Sequence, residues 1–204
     1  MYKIAAILGE AGSGKDTIMN RVLLHAPNTF RGIVNHTTRP MREGEAEGRE
    51  YYFTTEQKII NKIFNGEMLE VHANHWLYGT SFNELSEEKI NIGVFTPYVI
   101  ENFLKNNDKI ELQVFRIEVN EKERMLRQLN RETNPDVKEI VRRFGTDLED
   151  FANLNFDYKI IKNDEVNDIE EAVDEIIAAF GQNQLNERPK FHIYCITKFF
   201  RHKI

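Results

Sequence analysis

The run Gly9-Glu10-Ala11-Gly12-Ser13-Gly14-Lys15-Asp16-Thr17 sets three glycines and a lysine directly behind an apolar stretch, Tyr2 to Leu8. Glycine reaches φ values closed to other residues, so consecutive N–H groups of Gly12, Ser13, Gly14 and Lys15 can point inward around a phosphate. A helix beginning at Asp16 adds its positive N-terminal end, and Lys15 reaches β- and γ-phosphates as a point charge. The duller alternative is a glycine-rich turn after a strand. An apolar strand before it and an amphipathic helix after it are the context that a phosphate loop requires. Asp16 breaks the strict pattern, which has serine or threonine at that place. Its carboxylate either contacts a hydrated Mg2+ or occupies a first helical turn, where negative charge is favoured.

A second constellation lies downstream. His36-Thr37-Thr38-Arg39-Pro40-Met41-Arg42-Glu43-Gly44-Glu45 is followed by Gly48-Arg49-Glu50-Tyr51-Tyr52-Phe53, then by Gly66-Glu67-Met68-Leu69-Glu70 and Tyr78-Gly79-Thr80-Ser81. This series resembles the guanylate kinase family, whose pattern is a Thr-Thr-Arg-x-x-Arg loop, a Gly-x-x-Tyr-x-Phe strand, a Glu-Phe-x-Glu strand and a Tyr-Gly-Thr/Ser turn. Order and spacing agree from the phosphate loop to residue 81. Weaker agreement continues to Asp157-Tyr158-Lys159-Ile160-Ile161-Lys162-Asn163-Asp164, so the resemblance spans most of 3–180.

The resemblance implies a phosphoryl transfer from ATP, with Mg2+, to GMP or dGMP. It assigns the ATP site to Gly9, Gly12, Ser13, Gly14, Lys15, Asp16, Thr17, Arg127 and Asn163. In this variant of the loop Thr17 acts from the next position, on the α-phosphate or near the metal; neither it nor Asp16 ligates the metal directly. The acceptor site falls to Asn35, Arg39, Arg42, Tyr51, Glu70, Tyr78 and Thr80, with Glu70 as the guanine-reading carboxylate. Charge neutralisation falls to Lys15, Arg39, Arg131 and Arg143, with Arg142 as an alternative register. The chemistry is consistent. Two guanidinium forks three residues apart can converge on one dianionic phosphate. A carboxylate matches the adjacent N1–H and exocyclic amine of guanine. Taken singly, Arg39 and Arg42 also read as solvated loop charges, Tyr51 and Tyr78 as core-edge aromatics, Arg142 as part of a salt-bridged surface helix, and Asn163-Asp164 as a turn.

Two departures stand out. Where the family has an Asp-x-Asp-x-x-Gly segment, this chain reads Val94-Phe95-Thr96-Pro97-Tyr98, without an acid. Asn35 replaces a serine common at the guanine site; an amide both donates and accepts.

The elements that must hold these residues alternate. Strands are expected over Tyr2 to Leu8, Gly32 to Val34, Glu50 to Phe53, Met68 to Val71, Trp76 to Tyr78, Ile92 to Thr96, Glu111 to Val119 and Tyr158 to Ile161. Helices are expected over Asp16 to Leu24, from a cap at Thr54 or Thr55 to Phe64, and over Phe82 to Lys89, Pro97 to Lys105, Glu121 to Arg131 and Ile169 to Phe180. Such alternation indicates an α/β fold with a parallel sheet. The resemblance divides it into a kinase core (1–34, 90–126 and 145–180), a small antiparallel acceptor-binding insert (35–89), a helical lid (127–144) and an extension (181–204). Arg127 and Arg131, four apart, are expected on one helical face.

Bulk properties narrow the partners. The chain has 204 residues, 41% hydrophobic and 29% charged, with net charge −6. That is an ordinary globular composition without a global field toward nucleic acid or anionic membrane. Cys195 is the single cysteine, so no internal disulfide forms, and the small half-buried residue of a reducing cytosol is the simplest reading. Ile4 to Leu8 is too short for a membrane span. The expectation is a cytoplasmic enzyme, monomer or homodimer, that takes small nucleotides and neither membrane nor nucleic acid. Residues 181–204, aromatic and basic, read as an edge strand or packed tail, with a partner or nucleic-acid contact as the alternative. Two other readings of the whole remain: a guanylate-kinase-like binding module without catalysis, and a kinase for another (deoxy)nucleoside monophosphate.

Overall fold

The computed structural model describes residues 1–42, 44–106, 108–131, 133–164 and 169–181, so Cys195 and nearly all of the extension lie outside the described residues. The chain opens with strand β1 (Tyr2–Leu8), helix α1 (Lys15–His25) and strand β2 (Phe30–Gly32). A second group follows: β3 (Asn35–Thr37), β4 (Tyr51–Phe53), α2 (Glu56–Phe64), β5 (Met68–Asn74) and β6 (Trp76–Ser81). The chain then returns through β7 (Ile90–Val94), α3 (Pro97–Asn106), β8 (Ile110–Glu118), α4 (Glu121–Leu129), α5 (Val137–Asp150), β9 (Lys159–Lys162) and α6 (Ile169–Ala179).

Two sheets result. The larger has the order β2-β7-β1-β8-β9, and its pairs are all parallel. Residues of β1 alternate between two cores, as a strand covered on both faces must. Ala5 and Ile7 join Ile18 and Val22 of α1 and Val173 and Ile176 of α6. Ile4, Ala6 and Leu8 join Val99, Ile100 and Phe103 of α3. The chain leaves β1 toward β2 on one side and later adds β8 on the other. The C-terminal end of β1 is therefore a switch point, where open α/β sheets bind ligands.

The smaller sheet has the order β4-β3-β6-β5. It is antiparallel across β3-β6 and β5-β6, while β3 and β4 run parallel. The Gly32 to Val34 strand is not observed as one element. Gly32 ends β2 in the large sheet and Asn35 begins β3 in the small one, so the chain crosses between sheets there. Thr55, rather than Thr54, caps α2 through Lys58 N–H.

Two helix expectations are corrected. Phe82 to Lys89 forms only a short 3-10 turn, Phe82–Glu84. Beyond it Ser86 Oγ accepts from the N–H groups of Glu88 and Lys89 at 3.2 and 3.0 Å, while the Asn91 amide bonds both Ser86 N–H and Ser86 C=O. These side-chain bonds replace the helical ladder. Helix α4 stops at Leu129, and Asn130 turns back to bond Leu126 and Gln128 carbonyls, so Arg131 lies beyond the helix and shares no face of it with Arg127.

Candidate active site

The glycine loop joins β1 to α1 with close approaches on three sides. A Cβ at Gly9 would lie 2.9 Å from Ile117 O, one at Gly12 would lie 2.6 Å from Arg124 O, and one at Gly14 would lie 2.5 Å from Asn163 Nδ2. Gly12 and Gly14 also hold φ of 82° and 86°, so both space and backbone require glycine. The outward carbonyls of the loop are taken by donors from neighbouring elements. Ala11 O accepts from Arg124 Nη1 (3.3 Å) and Gln128 Nε2 (3.4 Å), and Ser13 O from Asn163 Nδ2 (2.8 Å) and Arg127 Nη1 (3.4 Å). Arg127 also reaches Asn163 O at 2.8 Å and pairs with Glu123. Gly14 is the N-cap of α1 and offers no side-chain cap, which leaves the helix start suited to an anion. Lys15 is largely covered and sits 3.7 Å from the exposed Asp16 carboxylate. The Ser13 hydroxyl is buried without a protein partner.

Opposite the end of β7 the small sheet forms a cleft of about 230 Å3, lined by Asn35, Tyr51, Glu70, His72, Tyr78, Val94, Phe95, Thr96 and Val99. It gathers residues from β3, β4, β5 and β6. At its base the Glu70 side chain is only 3% exposed. Thr80 Oγ1 lies 3.1 Å from Glu70 Oε1 and 2.9 Å from Asn35 Oδ1, and His72 Nδ1 lies 2.9 Å from Glu70 Oε2. At its edge the buried Arg39 guanidinium rests over the rings of Tyr51 and Phe53 at 5.5 and 5.6 Å. Tyr78 meets Tyr51 edge to face at 5.9 Å. Burial, and then Tyr78, push the Tyr51 hydroxyl above its ordinary range, so it stays a donor.

Glu45 occupies Arg39. Arg39 Nη2 donates to both Glu45 oxygens at 2.8 and 3.0 Å, and the Arg42 backbone N–H donates to Oε2 at 2.8 Å. The Arg39 side chain holds the Glu45 carboxyl below the usual carboxylate range, with help from the Arg42 N–H. The Arg42 side chain itself is exposed.

Arg131 and Arg143 stand apart from both sites. Arg131 and Arg143 line one small cleft with Gln128, Asp136 and Glu139. Glu139 binds Arg142 at 2.7 Å and Arg143 at 2.8 Å, and these bonds hold its carboxyl down to about 2. Among the described residues no hydrogen bond joins Arg131 or Arg143 to the glycine loop.

Sequence reasoning overlooked four residues. Glu45 lay inside the quoted motif, six positions after Arg39, and Arg124 lies one turn before Arg127 on α4. His72 lies two positions after Glu70, on the same face of a strand. Asp147 gave no local signal; it contacts Ala11 across 136 positions.

A parallel sheet whose first strand runs into a glycine loop and helix, facing an arginine- and tyrosine-edged cleft on a second sheet, defines a phosphate-loop nucleotide kinase. Residues 1–180 match the guanylate kinase family model, and the chain belongs to that family. It is similar to the guanylate kinase of Mesoplasma florum, 30% identical over 196 residues, a match covering 93% of this chain and 65% of that protein. It is also 30% identical over 198 residues to the guanylate kinase of Helicobacter hepaticus, with 92% of this chain and 95% of that one covered. The fold resembles the crystal structure of guanylate kinase from Anaplasma phagocytophilum, with a TM-score of 0.61 at 21% identity, over 91% of this chain and 88% of that one.

Proposed function

We propose that the protein transfers the γ-phosphoryl group of ATP to GMP or dGMP, giving GDP or dGDP and ADP. The observation that carries this reading is the pairing of an anchored glycine loop with a cleft whose buried base is the Glu70 carboxylate. Gly9, Gly12, Ser13 and Gly14 would wrap the β-phosphate of ATP, with Lys15 on the β- and γ-phosphates and Arg127 and Asn163 beside the adenosine. Arg39, Arg42, Tyr51 and Tyr78 would hold the acceptor phosphate, which takes over from Glu45 as the anion at Arg39. Glu70 would accept from guanine N1–H and the exocyclic amine, with Thr80 and Asn35 next to it. Phosphoryl transfer needs positioning and charge neutralisation more than a covalent catalyst. Lys15, Arg39, Arg131 and Arg143 supply the positive charge, the last two once 127–144 closes as a lid over the core (1–34, 90–126, 145–180) and the acceptor-binding insert (35–89).

The hard oxygen donors of Asp16 and Thr17, at the first turn of α1, suit Mg2+ held through water. Bound there, the metal neutralises charge on the β- and γ-phosphates. No helix among the described residues is long and apolar enough to cross a membrane. The reading includes a cytoplasmic protein, monomer or homodimer, with no nucleic acid partner.

The test is ADP production from ATP and Mg2+ against GMP, dGMP, AMP, dAMP, CMP, UMP and dTMP. Turnover confined to GMP or dGMP supports the reading. Turnover with another acceptor keeps the mechanism and replaces the base assignment. Nucleotide binding by folded protein without turnover sinks it in favour of a binding module.

A further inference from the structure

We infer that His72 sets base selectivity by pinning the Glu70 carboxylate; the inference rests on the acceptor reading proposed above. A carboxylate accepts only, so the 2.9 Å contact between His72 Nδ1 and Glu70 Oε2 requires the hydrogen on Nδ1, with the imidazole donating. Thr80 Oγ1 lies 3.1 Å from the other oxygen, Oε1, but shares its single hydrogen with Asn35 Oδ1 at 2.9 Å, so His72 is the donor committed to Glu70. Each oxygen thus has a polar neighbour at its side, and His72 sets the carboxylate plane before any ligand arrives. Each oxygen keeps a lone pair for a base edge. A carboxylate fixed in this way can serve two adjacent N–H donors at once, which separates guanine from a base that offers one.

His72 is itself held. Its ring stacks on Tyr78 at 5.7 Å and 17° and meets Tyr98 at 6.2 Å and 66°. Its side chain is 23% exposed and lines the cleft that Glu70 lines. The wall across the cleft is Val94, Phe95, Thr96 and Val99, which offers no charged group to orient the base or the glutamate. Within the lining of the cleft, orientation of the carboxylate falls to His72, with the buried Thr80 hydroxyl behind it.

A structural alternative has a different signature. If His72 acted only as a ring packed under Tyr78, its loss would weaken all acceptors alike. The test compares kcat/KM for GMP with that for inosine monophosphate, which keeps N1–H but lacks the exocyclic amine. Wild type is set against His72→Phe, which keeps the ring and removes the donor, and against His72→Asn, which keeps a donor and removes most of the stack. Melting temperatures are recorded for each.

The expected result is a fall of about tenfold in the GMP-to-inosine monophosphate ratio in His72→Phe, carried by KM for GMP, and a ratio near wild type in His72→Asn. An unchanged ratio in folded His72→Phe, or equal losses for both acceptors in both variants, overturns the inference while leaving the kinase reading in place. A wild-type protein that turns over neither acceptor overturns both.

Discussion

The backbone N–H of Ala11 donates to Asp147 Oδ2 at 2.8 Å across 136 positions of sequence, binding the glycine loop to helix α5. The same carboxylate oxygen pairs with Arg124 Nη1 at 3.2 Å, and Arg124 Nη1 in turn donates to Ala11 O at 3.3 Å. The Arg124 guanidinium also lies over the Phe144 ring at 4.6 Å. Both polar groups of one loop residue are thus held by α4 and α5. Helix α5 also carries Arg143, one turn before Asp147, on the side of the proposed lid boundary away from the loop contact.

Removing Asp147 should damage stability and the donor site together. Arg124 is 4% exposed on its side chain, and loss of its partner leaves an uncompensated charge and an unpaired Ala11 N–H. With Asp147 partly open to water, Asp147→Ala should cost about 2–4 kcal/mol. Asp147→Asn keeps an acceptor for Ala11 and should cost less. Denaturant unfolding measures the loss, and KM for ATP should rise further in the alanine variant than in the asparagine one. A variant as stable as wild type would show that the contact carries no energy.

Lys15→Ala should lower turnover by about 10²–10³-fold while the melting transition stays in place. The ion pair of Lys15 is with the exposed Asp16 carboxylate at 3.7 Å, so its removal leaves no orphaned charge in a core. Steady-state assays at saturating ATP and acceptor check this. Activity within tenfold of wild type would mean that the transferring phosphate lies elsewhere.

Glu70→Gln tests the base-reading role proposed for the Glu70 carboxylate. The amide nitrogen would face an N–H donor of guanine, and one of its positions must also meet Thr80 or His72, both donors. Such a mismatch costs about 1–3 kcal/mol, or roughly 5–150-fold in affinity for GMP. Calorimetric titration with GMP reads it directly, and unchanged affinity removes Glu70 from the site.

What was legible in the sequence was what lies close along the chain. The glycine loop is consecutive, and its strand and helix follow from apolar pattern on each side. Tyr51, Glu70, Tyr78 and Thr80 come from strands of one small sheet, and Arg39 from the bend just after β3, so their spacing survives as a motif. Contacts made by packing leave no such trace: Asp147 meets Ala11 only because α5 lies against the loop. Local side-chain chemistry misled in the other direction. Phe82 to Lys89 has a helical composition, yet Ser86 and Asn91 draw the backbone into a turn. Arg131 follows an amphipathic run that Asn130 ends two residues early.

His36 gives the fold a pH dependence of known sign. Its ring is buried beside Tyr52, with centroids 5.1 Å apart, and its Nε2 has no hydrogen-bond partner. Burial, reinforced by Lys62, lowers its proton affinity below the ordinary imidazole value, although Glu84, Glu47 and Glu67 oppose the shift. As pH falls through about 6.5, the unfolded chain therefore takes up a proton that the folded one refuses. Stability should decline from that point down to the lowered folded value, by at most about 1.4 kcal/mol per pH unit from this residue. In His36→Phe that component vanishes, so the melting temperature of the variant should fall less than that of wild type between pH 7.5 and 5.5. The difference in slope is the readout, since the larger ring alters absolute stability by itself. Parallel slopes would mean that His36 takes up its proton in the folded state as readily as in the unfolded chain.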